Sequence, residues 1–147
     1  MDFKKMTPII VRNFHYDINE EQKVKSDVTV SIREVVQNDE NGKQMPESEE
    51  GKYFEVGVPF AVAPAPGMFT VSGLITQVVQ LIGYFGKGDD LNPTDYQLLS
   101  RPLVEEIETL TYEITQITLD QPVNLNFKSN FDELLKNRDK DNNNDEN

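Results

Sequence analysis

The 147 residues carry 26 acidic against 14 basic side chains, a formal charge of -12 and a pI near 4.4, with no cysteine. That balance repels nucleic acid and anionic membrane surfaces, and the missing thiols exclude disulfides, thiolate metal sites and cysteine nucleophiles. One domain is expected, large enough to bury roughly two thirds of the surface its unfolded chain would expose.

Residues 1–7 run straight into strand-like sequence without the apolar core of a signal peptide. Residues 56–85 are broken by glycines, prolines and glutamines and do not read as a membrane span. A cytoplasmic location is expected.

Residues 8–18 alternate, with Ile10, Arg12, Phe14, Tyr16 and Ile18 on one side, and give a first strand. Val28, Val30 and Ile32 alternate with Thr29, Ser31 and Arg33 in a second strand reaching about Val36. Residues 37–52, rich in acids and amides around Asn41-Gly42, read as a long hairpin loop. Phe54, Val56, Val58, Phe60 and Val62 share one face of a third strand, in which Pro59 calls for an edge position or a bulge. After the stiff turn of residues 63–67, residues 68–84 suit either a helix or a strand by period. Their β-branched and Gly content favours a long fourth strand, bent near Gly73.

Residues 85–99 read as a crossover loop. A helix of about 18 residues, about 27 Å long, is then expected from Ser100, with Pro102 in its first turn. Leu103, Ile107, Leu110, Ile114 and Ile117 form its apolar stripe. Such a stripe needs cover from a sheet, a partner helix or both. An extended return follows through residues 122–127. Asn130 with Glu133 then resembles a capping box opening a second helix, with Phe131, Leu134 and Leu135 on its apolar face. Residues 139–147 are charged or amide throughout and are expected to form a disordered tail after a domain of residues 1–138.

No catalytic constellation emerges. His15, the single histidine, has no nucleophile at a recognisable spacing, and Gly86-Lys87-Gly88 beside Asp89-Asp90 lacks the phosphate-loop spacing. The acids of residues 139–145 imitate the start of a calcium loop but lack its glycine. No enzyme activity, cofactor or metal is expected.

The order of four strands, crossover loop, long helix, extended return, short helix and acidic tail resembles SecB, the bacterial export chaperone. Arg12 with Asp17-Ile18 and Glu21 resembles the spacing on SecB's first strand. The string Gln121-Pro122-Val123-Asn124-Leu125-Asn126-Phe127, leading to Asn130-Phe131-Asp132-Glu133-Leu134 and Asn137, looks like SecB's late signature. The similarity is to the short, uncharacterised SecB-like group rather than to SecB proper. It implies an α+β fold of order ββββαα: a four-stranded antiparallel sheet followed by a long and a short helix, assembled as a homodimer or homotetramer. It also implies a holdase that binds unfolded or export-bound polypeptides through Tyr84, Phe85, Phe131, Leu134 and Leu135. Asp17 and Glu21 match the acidic positions that dock on the Sec motor ATPase, but Ser72 stands where SecB's fourth strand has an acid. The competing reading is a structural or adaptor protein that keeps the oligomeric scaffold without client binding.

Overall fold

A computed structural model describes residues 1–46 and 48–125. The chain divides into two compact units, Met1–Leu103 and Val104–Asn147, and each is taken by itself.

The first unit is built on an antiparallel sheet of six strands, β1 (Phe3–Lys5), β2 (Ile10–Ile18), β3 (Lys25–Val28), β4 (Ser31–Val35), β5 (Tyr53–Ala63) and β6 (Phe69–Leu81). This corrects the expectation of four strands. The central pair is β5 and β6. One flank of β6 is covered by β1 and then β2, and one flank of β5 by β3 and then β4. Each flanking ribbon is therefore one row in two pieces.

The reasons for both breaks are local. Pro59 lies in central β5, not at an edge, and its carbonyl accepts from Thr29 N at 3.3 Å. Its nitrogen faces the same flank and has no hydrogen to give, so the neighbouring row stops at Val28 and restarts at Ser31. On the other flank Thr7 replaces a backbone partner with its hydroxyl, which accepts from Val78 N at 3.0 Å, and Pro8 follows.

Phe54, Val56, Val58, Phe60 and Val62 do share one face, at 0–4% exposure, paired across to Val79, Gln77, Ile75, Gly73 and Val71. Burying each large apolar side chain in such a row contributes about 1.5–3 kcal/mol. In β2 the alternation predicted through Arg12 fails. The register shifts between Val11 and Asn13, so Ile10 and Phe14 point to opposite faces. The bend expected at Gly73 thus falls on β2. Gly73 serves that bend from below, because a Cβ there would sit on the Asn13 carbonyl oxygen.

The single helix among the described residues, α1 (Pro93–Thr118), starts seven residues before Ser100. Asn92 Oδ1 accepts from Asp95 N at 2.9 Å, and Asp95 Oδ2 accepts from Asn92 N at 3.4 Å. This is a reciprocal cap with Pro93 at the first helical position. Pro102 consequently lies inside the helix and removes one of its backbone hydrogen bonds.

In the second unit the buried side chains of α1 are Val104, Ile107, Thr111 and Thr115, whereas Ile117 is 78% exposed. The buried row therefore turns away from the predicted apolar stripe. Threonine can join it because its hydroxyl is satisfied within the helix: Thr111 Oγ1 donates to Ile107 O at 2.8 Å and Thr115 Oγ1 to Thr111 O at 2.7 Å. Val123 N then donates to Thr115 Oγ1 at 2.7 Å, tying the extended return to the helix. The expected second helix and residues 139–147 lie outside the described residues.

Candidate functional site

The outer edge of β2 follows from the pairing register. Pro59 directs its carbonyl to the β3–β4 flank, so Phe54, Val56, Val58 and Phe60 turn to β6, and Ser72, Leu74 and Thr70 turn to β2. Asn13, His15 and Asp17 oppose those three and use their backbone groups inward. Phe14, Tyr16 and Ile18 then direct their N–H and C=O groups outward, where no strand among the described residues pairs with them. Two of these side chains are fixed by rings beneath the edge: Phe14 lies 6.2 Å from Phe60 and Tyr16 stacks at 5.6 Å on Phe69. The Tyr16 hydroxyl is buried without a hydrogen-bond partner among the described residues, which costs on the order of 1–3 kcal/mol. Ile18 is 62% exposed.

At the end of this edge lies a cleft of about 510 Å³ lined by Ile18, Asn19, Glu20, Glu21, Lys23, Lys25, Ala63 and Thr70. Asn19 is its anchor. Its Nδ2 donates to Gly67 O at 2.8 Å, its Oδ1 accepts from Thr70 Oγ1 at 2.7 Å, and its N–H donates to Met68 O at 2.8 Å. Gly67 has φ +87°, and a Cβ there would lie 2.6 Å from the Lys23 backbone, so the two loops meet only because Gly67 has no side chain.

A polar row crosses the sheet farther along. Arg12, projecting from the bulge, donates from Nε to Thr76 Oγ1 at 3.0 Å and lies 3.9 Å from Glu55. Arg33 holds the same carboxylate at 2.9 Å. Glu55 is half-buried and both arginines reach solvent, so each pair adds little stability.

The described members of the two predicted groups, partner-docking and client-binding, lie at opposite ends of β6. Asp17 and Glu21 are exposed at the start of β6, with Asp17 opposite Thr70. Ser72 is on β6 opposite His15. Tyr84 and Phe85 follow the far end of β6, about 40 Å along the strand at about 3.3 Å per residue. Phe85 is 51% exposed. Tyr84 is engaged: its ring lies 5.6 Å from Phe54, its hydroxyl donates to Asp90, and it accepts from Gly88 N at 2.9 Å. Phe131, Leu134 and Leu135 lie outside the described residues. Asn19, Lys23 and Lys25 went unread as site residues; Asn19 had a signal in its place at the end of an alternating strand.

Burial, then the bond donated to Asp90, raises the Tyr84 phenol above its ordinary value of 10.0. An acid whose proton is held more tightly in the folded state binds more protons there than in the unfolded chain once pH passes 10.0. Its contribution to stability is complete below that pH and is lost as pH rises through the folded value. Tyr84→Phe should flatten the decline of thermal stability above pH 10, read by melting at a series of alkaline pH values.

Among the described residues no group of three or more His, Asp or Glu side chains is placed to hold a metal ion. No helix of these residues is long and apolar enough to cross a membrane.

The architecture is that of an α+β protein, an antiparallel sheet followed by a long helix, with a flank that no described strand pairs and a mixed-charge cleft. The chain belongs to a family described as proteins of unknown function (DUF1149), whose model matches residues 1–127. A crystal structure of a protein of unknown function from Streptococcus agalactiae is similar, with TM-score 0.69, 24% identity, and coverage of 86% of this chain and 98% of that one. A SecB-like chaperone of Mycobacterium tuberculosis, solved with a peptide from an antitoxin, aligns at TM-score 0.45 and 13% identity over 84% of this chain and 88% of that one. No curated protein matches the sequence.

Proposed function

We propose that this chain is a SecB-like holdase: a binding protein that keeps unfolded or export-bound polypeptides from aggregating, without catalysis. The observation that supports it best is the β2 edge, where Phe14, Tyr16 and Ile18 turn their backbone groups away from the sheet beside the exposed Ile18 side chain. An extended polypeptide adds to such an edge by main-chain hydrogen bonds and is selected by the side chains around it. The net charge of -12 favours a cationic, unfolded client. The sequence signature of residues 121–137 supports the same reading.

The oligomer belongs to this proposal. In the second unit Leu110 and Ile114 are half-buried and Ile117 is exposed, which leaves an apolar strip that a homodimer or homotetramer would cover. Docking on the Sec motor ATPase is the less favoured part, because Ser72 replaces an acid and Lys23 and Lys25 share the cleft with Glu21. The adaptor reading gains from Tyr84, whose ring and hydroxyl are already committed to the fold.

The test is light scattering from a reduced, aggregating substrate. The holdase reading expects suppression at modest molar excess, weakened several-fold in Ile18→Asp and in Phe85→Asp. A folded protein that gives no suppression at several-fold excess rejects it in favour of the adaptor.

A further inference from the structure

Asn41-Gly42 is the one Asn-Gly pair in the sequence, and it sits at the tip of the hairpin after β4. We infer that Asn41 is a site of spontaneous deamidation and that Asp39 sets its rate. The reaction needs only water. The Gly42 backbone nitrogen attacks Cγ of the Asn41 carboxamide, a C–N bond forms, and ammonia leaves with the proton that nitrogen gives up. Water then opens the resulting cyclic imide at either carbonyl, leaving an aspartyl or an isoaspartyl residue. The sum is one amide hydrolysed by one water, with no change of oxidation state.

Three features favour the reaction here. Asn41 and Gly42 are both exposed. Apart from its two chain neighbours, no residue comes within 4 Å of the place a Gly42 Cβ would take, so nothing from outside the turn crowds this position. No partner holds the Asn41 carboxamide among the described residues, whereas Asn19 and Asn92 are each held through their side chains.

One feature restrains it. Gly42 N donates to Asp39 O at 3.0 Å, and Asp39 Oδ1 accepts from both Asn41 N and Lys43 N at 2.9 Å. The attacking nitrogen is free only when this turn opens, so the Asp39 carboxylate controls how often the reactive geometry is reached. The product carries a new charge beside Asp39 and Glu40. Its isoaspartyl form also adds a carbon to the main chain, which takes the Asn38–Gln44 bridge out of register.

The experiment follows the full-length chain through an incubation of weeks at neutral pH and 37 °C, with peptide mapping by mass spectrometry and isoaspartyl detection. The expected result is a gain of one mass unit confined to the peptide holding Asn41. Asp39→Ala should speed it about fivefold to tenfold, the change in turn opening expected when side-chain hydrogen bonds are lost. Asn41→Gln should remove the gain from this peptide, since the longer side chain would have to close a six-membered ring. Conversion of other asparagines ahead of Asn41, or a gain that persists in Asn41→Gln, overturns the site; an unchanged rate in Asp39→Ala overturns the role of Asp39.

Discussion

Replacing Phe54 by alanine should cost about 3–5 kcal/mol, the range for truncating a buried aromatic into a cavity. Phe54 has no exposed surface, lies opposite Val79 on the central strand pair, and supports the Tyr84 ring at 5.6 Å. Gly88 closes over it so tightly that a Cβ there would come 3.1 Å from the ring. The cavity would therefore be roofed by a loop pinned through Tyr84, which has little room to collapse inward. Chemical denaturation should show a lower midpoint with little change in slope. A loss below 1 kcal/mol would mean that the loop relaxes into the space.

The second large effect is expected at Gly73→Ala. The new methyl group would fall on the Asn13 carbonyl, a backbone atom that cannot turn aside as a side chain would. The cost should exceed the ~1–3 kcal/mol of ordinary overpacking, with β2 displaced from β6 at the bulge. Hydrogen exchange should locate the damage: Asn13, His15 and Asp17, which pair with Leu74, Ser72 and Thr70, should lose protection while β5 keeps it. Uniform destabilisation across the sheet would contradict this account of the bulge. Gly67→Ala offers a comparison, because it strains the cleft loops and leaves the β2 register alone.

The parts of this fold that were legible in the sequence are those where side-chain period and backbone demand agree. Val56, Val58, Phe60 and Val62 alternate cleanly and form a buried face. Pro59 signalled an interruption, but sequence places it only on its own strand; the break appears in the neighbouring row. The expected second strand therefore splits into β3 and β4, and β1 (Phe3–Lys5) joins the other flank, which takes the count from four to six. Arg12 continued the alternation on paper, yet as the bulged residue it reverses the faces of what precedes it. A bulge depends on the partner strand, and Gly73 was the sole sign of it.

The helix start shows a different failure. Asn92, Pro93 and Asp95 carry the signals of a capped N-terminus, but the apolar stripe begins only at Leu103 and drew the boundary toward it. Farther along, Thr111 and Thr115 are buried while Ile117 is exposed. Hydropathy counts threonine as polar, although in a helix its hydroxyl can bond four residues back and be buried like valine. As for the site, Asp17, Glu21 and Phe85 are exposed. Tyr84 is drawn into the fold by Asp90 and Gly88, two contacts within six residues of it that composition alone does not reveal.

The most direct test of the proposed function is amide hydrogen exchange on β2 with and without an unfolded, cationic client. Strand addition predicts slowed exchange at Phe14, Tyr16 and Ile18, whose N–H groups face outward, with Asn13, His15 and Asp17 unchanged. Client binding that leaves the Phe14, Tyr16 and Ile18 amides as fast as before, or no binding at all, would contradict it.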